Sequence, residues 1–402
     1  MLLICLLKHL QKNKLSSESI VMKRIYLDHA ATTPVHPDVI SAMTAALSTQ
    51  WGNPSSLHTE GRTARKAKEH ARAQVAQLLQ ADLSNLYFTA SGSEADQWAI
   101  LGVDDLYSES KGRIITSTIE HSAVRNAAKR LANAGWDVQW LVPDRFGFYS
   151  ADELQKLMNS ETKLVSLMYC NNEIGSIQDI SILSNVSHQH GALFHTDAVQ
   201  ALGKLDSPLS WDVDLVSVAS HKINGPKGVG ALWIRPGLEF PPWIAEASQE
   251  RGKHAGTEGV PAIVGFGAAC QLWFDNQQMY RHQLTLLNAK FMQVLKSSGC
   301  EFTLVSPSEK VNVSIVNIRF HRCEAEALLL GFDLAGVAAS AGSACASGAL
   351  KPSGVLLGIG YTEQEANECV RFSFGPSLTI DDVTEGAQRI ASVVLKHQAI
   401  NK

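Results

Sequence analysis

Short apolar runs rich in β-branched residues alternate along the chain with longer segments of helical character. Five runs have the length and composition of buried strands, and they cover residues 86–89, 113–116, 164–168, 192–195 and 215–218. Loop residues and then a helical segment follow most of these runs. This alternation predicts an α/β fold with a mostly parallel, doubly wound sheet, in which ligands bind beyond the carboxyl ends of the strands.

Length, charge and cysteine content narrow the class of protein. A chain of 402 residues exceeds what one hydrophobic core usually supports, so we expect a large α/β body with a smaller appended domain. The 35 Lys and Arg residues nearly balance the 39 Asp and Glu residues without any run of like charges, which argues against binding of nucleic acid or of a membrane. The seven cysteines are scattered and lack C-x-x-C spacing, which argues against disulfides and a metal site and favours a reducing cytoplasm.

The first residues are apolar but have the features of neither a membrane span nor an export signal. Residues 1–10 are too few to span a bilayer and are interrupted by Lys8 and His9, and no small-residue cleavage pattern follows them. We therefore expect residues 1–21 to be a disordered extension, or the product of a start codon assigned too far upstream, ahead of the first strand-like run at 25–27.

A segment of small residues follows the strand-like run 86–89 and opens a helix. Such residues at a helix start leave backbone N–H groups and hydroxyls open to an anion, so Gly92 and Ser93 predict a phosphate cup. Taken alone, this segment fits an ordinary capped helix start better.

Polar side chains with catalytic potential follow the other predicted strands. In chain order these residues are His121, Asn172, Asp197, Gln200, Ser220, His221 and Lys222. A lone histidine after a strand is more often structural, and Lys222 by itself fits a surface lysine. An acid for a pyridinium nitrogen followed by a lysine for an aldehyde carbon is, however, what pyridoxal phosphate requires. The series at one sheet edge therefore predicts a site for pyridoxal phosphate.

Cys345 lies in a segment made almost entirely of small residues, 342–348. Because these neighbours offer no bulk to pack, we expect the segment to be mobile and the thiol to be exposed. The other six cysteines are expected to be small buried hydrophobic residues. A reactive thiol beside an aldehyde-binding lysine predicts carbon chemistry coupled to sulfur chemistry.

With these residues in place, the chain resembles the cysteine desulfurases of the NifS/IscS-like group, which are fold-type I pyridoxal-phosphate enzymes. The resemblance runs from about Ile25 to Thr379. It rests on motifs in the family's order, at residues 26–34, 52–58, 171–173, 195–200, 220–222, 256–257, 342–345 and 371–373. It implies a large domain with a mostly parallel seven-stranded sheet and a smaller α+β C-terminal domain. We place the large domain at 37–284 and the small one at 22–36 with 285–402.

The resemblance also implies roles for the cofactor-site residues. Lys222 would hold pyridoxal phosphate covalently and then act as the base at the substrate Cα. Asp197 would keep the pyridine nitrogen protonated, and Gln200 would bond the phenolic oxygen of the ring. His121 would stack on the ring and move protons, and Asn172 would contact the substrate or the cofactor.

The remaining implied roles concern the phosphate, the substrate and the sulfur. The phosphate would be bound by residues of the cup and of the last strand end, which are Gly92, Ser93, Ser220 and His221. Thr257 would reach the phosphate of the other subunit of a homodimer. Arg371 would clamp the substrate carboxylate, a bidentate task that lysine does poorly. Cys345 would attack the substrate sulfur and carry it as a persulfide.

The function that the resemblance implies is cytoplasmic conversion of L-cysteine to L-alanine, with sulfane sulfur passing from Cys345 to an iron–sulfur scaffold or a tRNA-thiolation enzyme. Two alternatives stay open. A selenocysteine lyase on this fold would work without Cys345, and a non-catalytic scaffold would lack a catalytic group, whereas none is missing here. The chain departs from the family pattern at Ala247, His254 and Pro376, which leaves partner docking and substrate affinity less defined than the chemistry.

Overall fold

A computed structural model describes residues 23–245, 248–342 and 351–400. The predicted extension at 1–21, Ala247 and the loop with Cys345 lie outside the described residues. The strands are β1 Ile25–Tyr26, β2 Leu86–Thr89, β3 Arg113–Ser117, β4 Asp137–Leu141, β5 Thr162–Ser166, β6 Leu193–Asp197, β7 Leu215–Ala219, β8 Gly230–Ile234, β9 Phe302–Leu304, β10 Ile315–Phe320, β11 Val337–Ala338 and β12 Cys369–Ser373.

Helices separate most of these strands. They are α1 Pro37–Thr49, α2 Thr59–Leu79, α3 Gly92–Leu106, α4 Ser122–Asn133, α5 Ala151–Leu157, α6 Ile180–Gln189, α7 Val260–Ser297, α8 Ala325–Leu334, α9 Gly354–Gly358, α10 Glu363–Ala366 and α11 Ile380–Ile400. Short 3-10 turns occur at Leu83–Asn85, Pro208–Ser210, Ser220–Lys222 and Gln249–Gly252. Within residues 23–245, 248–342 and 351–400, no helix has both the length and the apolar character needed to cross a membrane.

The main sheet confirms the predicted α/β architecture. Within the described parts of the chain it has seven strands in the order β2-β8-β7-β6-β5-β3-β4. Only β8 runs antiparallel to its neighbours β2 and β7, and the other pairs are parallel. The pattern of alternating strands and helices predicted this parallel core but not β4 or β8.

Both faces of the sheet are buried, which explains why its central strands are continuous apolar runs. Ile114 and Leu164 pack into the cluster around α3 and α4, whereas the next residues in each strand, Ile115 and Val165, pack into the larger cluster on the opposite face. Successive side chains of a strand point to opposite faces, so a parallel strand covered by helices on both sides needs apolar residues at nearly every position.

The C-terminal part of the chain forms a smaller sheet. Within the described residues, β9, β10 and β12 form an antiparallel sheet of three strands, and β1 pairs in parallel with β11. The 38-residue helix α7 leads from the main sheet toward this region. The predicted domain boundary at 284/285 falls inside α7 and stays a prediction.

The predicted strand ends differ from the observed ones by a few residues. The third predicted run, 164–168, corresponds to β5, which begins at Thr162 and ends at Ser166. Leu167 and Met168 are buried and follow the last register pair of β5, although the Leu167 N–H still donates to the His195 carbonyl oxygen at 3.1 Å. Burial and pairing produce the same sequence pattern, which is why strand ends are poorly predicted.

Candidate active site

The carboxyl ends of the parallel strands border a cavity of about 230 Å³. Most of the predicted site residues line it, and these are Gly92, Ser93, His121, Asn172, Asp197, Gln200, His221, Lys222 and Arg371. Ser220 is fully buried directly before His221. Thr257 lines a second cavity of about 170 Å³ instead. The structure thus brings these residues, which are distant in sequence, to one cavity.

Lys222 ends the short turn that follows β7 and is half-buried at the wall of the cavity. Its Nζ donates hydrogen bonds to the carbonyl oxygens of Ala30 and Ala31, at 2.5 and 2.8 Å. Burial lowers the pKa of the Lys222 amine to about 7, assisted by the positive charge of Arg371. A lysine with this pKa is partly neutral near pH 7 and therefore nucleophilic.

Asp197 is the last residue of β6 and is buried, with 6% of its surface exposed. Its Oδ1 accepts a hydrogen bond of 2.9 Å from the backbone N–H of Val199. Burial raises the pKa of the Asp197 carboxyl, whereas the charges of His121 and Lys222 lower it. The Val199 N–H and any positive charge on His121 or Lys222 therefore favour the ionised form of this carboxyl group.

The start of α3 has the geometry of an anion cup. Ser91 caps the helix by accepting a 3.1 Å hydrogen bond from the Glu94 N–H, which leaves the N–H groups of Gly92 and Ser93 for a ligand. A Cβ atom on Gly92 would lie 2.8 Å from a Val199 methyl group, so only glycine lets this helix end approach the strand ends.

His121 caps α4 and faces the same cavity. Its Nδ1 accepts a hydrogen bond of 3.2 Å from the Ala123 N–H, which leaves the proton of a neutral ring on Nε2. Burial lowers the pKa of His121, although the negative charge of Asp197 opposes this effect. A neutral imidazole beside Lys222 is suited to accept and donate a proton.

Arg371 lies in β12 and reaches the cavity from the small sheet. Its Nη1 donates to the carbonyl oxygen of Asn172 at 2.9 Å, and its Nη2 pairs with Asp28 Oδ1 at 2.8 Å. The side chain is 2% exposed. These contacts hold the guanidinium group in one orientation at the cavity wall, as binding of a carboxylate requires.

A family model of class-V aminotransferases matches residues 25–385. The chain belongs to the class-V aminotransferase family. The putative cysteine desulfurase IscS 1 of Bacillus subtilis is 38% identical over 375 residues, covering 93% of this chain and 99% of that protein. A solved structure named NifS-like protein superposes with a TM-score of 0.87 at 30% identity, covering 93% of this chain and all of that one.

A further solved structure, of SspA in complex with cysteine, matches with a TM-score of 0.77 and 32% identity, over 88% of this chain and all of that one. These similarities place the chain in the NifS/IscS-like group of the class-V aminotransferases and confirm the resemblance found in the sequence. Class-V aminotransferases of this group depend on pyridoxal phosphate.

The cavity of this class-V aminotransferase fits pyridoxal phosphate. Among the described residues, the side-chain oxygens Asn172 Oδ1, Gln200 Oε1 and Ser220 Oγ are buried and have no hydrogen-bond partner. Buried polar atoms are normally paired, so unpaired ones at a cavity mark where a ligand binds. They accompany a free helix N-terminus for a phosphate, a carboxylate for a ring nitrogen and an amine for an aldehyde.

Sequence reasoning gave no role to Asp28, Asp96 and Glu120, which the structure places at or beside this site. Asp28 pairs with Arg371 across 343 residues of sequence. Burial raises the pKa of Glu120 to about 8, and its Oε1 accepts hydrogen bonds from the Met168 N–H and from a tyrosine hydroxyl. The one available signal was position, since Asp28 and Glu120 come two and three residues after β1 and β3, and Asp96 lies in the first turns of α3.

Proposed function

We infer that this chain is a pyridoxal-phosphate-dependent cysteine desulfurase, which converts L-cysteine to L-alanine and transfers sulfane sulfur to a cysteine of the enzyme. The observation that carries this inference is the single cavity in which Lys222, Asp197 and Arg371 meet in a chain of the NifS/IscS-like group. Aldehyde binding, ring-nitrogen binding and carboxylate binding are thus available within one site.

Pyridoxal phosphate supplies an electron sink for the bonds that break at the substrate Cα. The N-terminus of α3, with Gly92 and Ser93, would hold its phosphate together with Ser220 and His221. Asp197 would hold a proton on the pyridine nitrogen. The Oε1 of Gln200 has no hydrogen-bond partner among the described residues, but an amide oxygen only accepts hydrogen bonds. A hydrogen bond to the phenolic oxygen of the ring would therefore come from Nε2, which in this structure donates to the Ala30 carbonyl oxygen at 2.9 Å.

Proton transfer at the substrate Cα is assigned to Lys222. Its lowered pKa of about 7 keeps part of the amine population unprotonated at neutral pH, so it can accept the Cα proton and later return one. His121 would take part in moving protons from the opposite side of the cavity. Asn172 would contact the substrate through its free Oδ1.

Sulfur transfer is assigned to Cys345, which lies outside the described residues, so this assignment rests on the sequence motif and on the family. The Cys345 thiolate would attack the substrate sulfur, forming a sulfur–sulfur bond as the substrate Cβ–sulfur bond breaks. The electron pair of the broken bond would stay with the carbon skeleton, where protonation at Cβ yields alanine. The persulfide on Cys345 would then pass its sulfur to an acceptor protein.

Replacing Arg371 with lysine is expected to raise the KM for L-cysteine by about 10- to 100-fold, with a smaller change in kcat. The lysine keeps the charge but loses the bidentate contact, and a charge-assisted hydrogen bond is worth about 1.5–3 kcal/mol. Steady-state alanine formation measures both constants. Arg319→Lys on β10 is the matched control, because Arg319 pairs with Glu365 and Glu368 away from the cavity. An unchanged KM in Arg371→Lys would remove the carboxylate role.

We propose that the active enzyme is a homodimer. Thr257 lies outside the cavity that holds the other site residues, which fits a contact with the phosphate of the partner subunit. Four large apolar side chains on and after α1 are exposed, which are Ile40, Leu47, Trp51 and Leu57. Exposed apolar groups of this size mark protein–protein contact surfaces.

Sedimentation is expected to give a dimer, and the double change Trp51→Glu with Leu57→Glu is expected to give monomers with much lower activity. Two buried charges at an apolar interface disfavour association. Leu334→Glu is the control, since Leu334 is 82% exposed on α8 in the small-sheet region. A wild-type monomer with full activity would contradict the dimer.

We place the enzyme in the cytoplasm and its acceptor among sulfur-carrying proteins, such as an iron–sulfur scaffold or a tRNA-thiolation enzyme. Among the described residues, Cys170, Cys270, Cys300, Cys323 and Cys369 are free thiols, which fits a reducing compartment. Incubation with cysteine carrying labelled sulfur and with each candidate acceptor tests the choice. Label that reaches neither acceptor class would contradict the proposal.

A further inference from the structure

A second acid, Asp96, borders the active-site cavity one turn into α3. It is 1% exposed. Its Oδ1 is buried without a hydrogen-bond partner in the part of the chain that the structure describes, and it lies 3.8 Å from His195 Nε2. An ionised carboxylate oxygen needs hydrogen-bond donors, and the surroundings of Oδ1 supply none, which disfavours the charged form of Asp96.

Asp96 faces a polar network on strands β6 and β7. His195 and Asp197 are two residues apart in β6 and therefore share one face of the sheet, and Ser217 is the register partner of Asp197 in β7. The Ser217 hydroxyl lies 2.9 Å from His195 Nε2, and His195 Nδ1 lies 2.8 Å from the Ser166 hydroxyl. Asp96 and Asp197 are thus neighbours within one buried polar cluster.

The charges around the two acids differ. Burial raises the pKa of Asp96 far above its usual value, the negative charges of Asp197 and Glu120 raise it further, and only a hydrogen bond with Ser217 lowers it. Burial lowers the pKa of His195 to about 3, so that ring is neutral and offers Asp96 no counter-charge. Asp197, in contrast, accepts a hydrogen bond of 2.9 Å from the Val199 N–H, and this bond, together with the nearby His121 and Lys222 side chains, opposes the rise that burial causes in its pKa.

Two neighbouring carboxyl groups in a buried site do not both ionise, and the proton stays on the acid with the poorer electrostatic surroundings. Here that acid is Asp96. We propose that Asp96 is a positioning residue that retains a proton and, as a neutral hydrogen-bond donor in the cluster, keeps Asp197 as the ionised acid that holds the pyridine nitrogen. This rests on the role proposed for Asp197.

Infrared difference spectroscopy of the holoenzyme tests where the proton resides. The wild-type spectrum at neutral pH is expected to contain a protonated carboxylic acid band that is absent from Asp96→Asn and shifts in heavy water. Glu120→Gln identifies the separate band of Glu120, which is also expected to be protonated because its pKa is about 8. A wild-type minus Asp96→Asn spectrum that shows a carboxylate band instead would overturn the proposal.

Cofactor release tests the effect on Asp197. Pyridoxal phosphate release from the holoenzyme is followed by visible absorbance as the pH is lowered. Asp96→Asn keeps a neutral donor of the same shape, so its release profile is expected to match the wild type within about twofold. Asp96→Ala removes the donor, which raises the pKa of Asp197, so release is expected about one pH unit higher and about tenfold faster at neutral pH.

The controls separate this inference from the proposed function. Asp105 lies on the same helix but is exposed, so Asp105→Ala should release pyridoxal phosphate with the pH profile of the wild type. A profile for Asp96→Ala that matches the wild type, or one for Asp96→Asn that matches Asp96→Ala, would overturn the role of Asp96 and leave the desulfurase intact. A wild-type protein that takes up no pyridoxal phosphate would overturn both.

Discussion

Replacing Cys345 with alanine is expected to lower cysteine desulfuration by roughly 1,000-fold or more, while the protein still binds pyridoxal phosphate and L-cysteine. The thiolate of Cys345 is the covalent acceptor of sulfur in the proposed mechanism, and losing a covalent nucleophile has effects of at least this order. Alanine and sulfide formation measure the loss, and visible absorbance measures cofactor binding. Cys300→Ala is the matched control, because Cys300 is a half-buried free thiol elsewhere in the chain.

Mass spectrometry gives an independent readout of the same step. Wild-type enzyme treated with L-cysteine in the absence of reductant is expected to carry one extra sulfur on the peptide containing Cys345 and on no other cysteine peptide. Unchanged cysteine turnover by Cys345→Ala would contradict the mechanism. Retained turnover of selenocysteine together with lost turnover of cysteine would be compatible with it, because a carbon–selenium bond is weak enough to break without a protein nucleophile.

The second large effect is expected for Lys222→Ala, which should abolish covalent attachment of the cofactor and lower alanine formation by roughly 1,000-fold or more. The amine is both the attachment point and the proposed base at Cα, and no other lysine lines the cavity within the described residues. Borohydride treatment followed by peptide mapping should locate the cofactor on Lys222 in the wild type.

Lys227→Ala is the control for this experiment. Lys227 is exposed in the turn that follows the same strand, so its loss should change neither attachment nor rate. A cofactor adduct that borohydride still fixes in Lys222→Ala would show that another amine holds the cofactor. The lowered pKa of Lys222 also predicts the direction of a pH dependence. Binding of pyridoxal phosphate to the apo-protein should become faster as the pH rises through about 7, because the neutral amine is the reactive form.

The arrangement of the sheet edge was largely predictable from local pattern. Apolar runs followed by loops and helices predict parallel strands, and parallel strands bring their carboxyl ends to one edge. His121, Asp197 and Lys222 each follow such a run, so their meeting in one cavity follows from the order of the elements. The family motifs then supplied roles that the spacing by itself could not.

The antiparallel strand β8 was not predictable in the same way. Gly230–Ile234 is a short, fully buried apolar run, and its sequence does not state its direction or its neighbours. The structure inserts it between β2 and β7, yet the start of α3 after β2 still approaches the end of β7, where a Cβ atom on Gly92 would lie 3.1 Å from the Cβ of Ala219. Strand order depends on contacts between distant segments, which a local pattern does not encode.

Fold class, family and the side chains along the sheet edge were thus readable from the sequence, because apolar strand runs, the helical segments between them and ordered motifs are local properties of the chain. The neighbours of each buried acid became visible in the folded chain alone. Asp28 pairs with Arg371, and Asp96 faces Asp197, across separations of 343 and 101 residues respectively. The charge state of a buried acid is set by these neighbours, and no spacing rule predicts them.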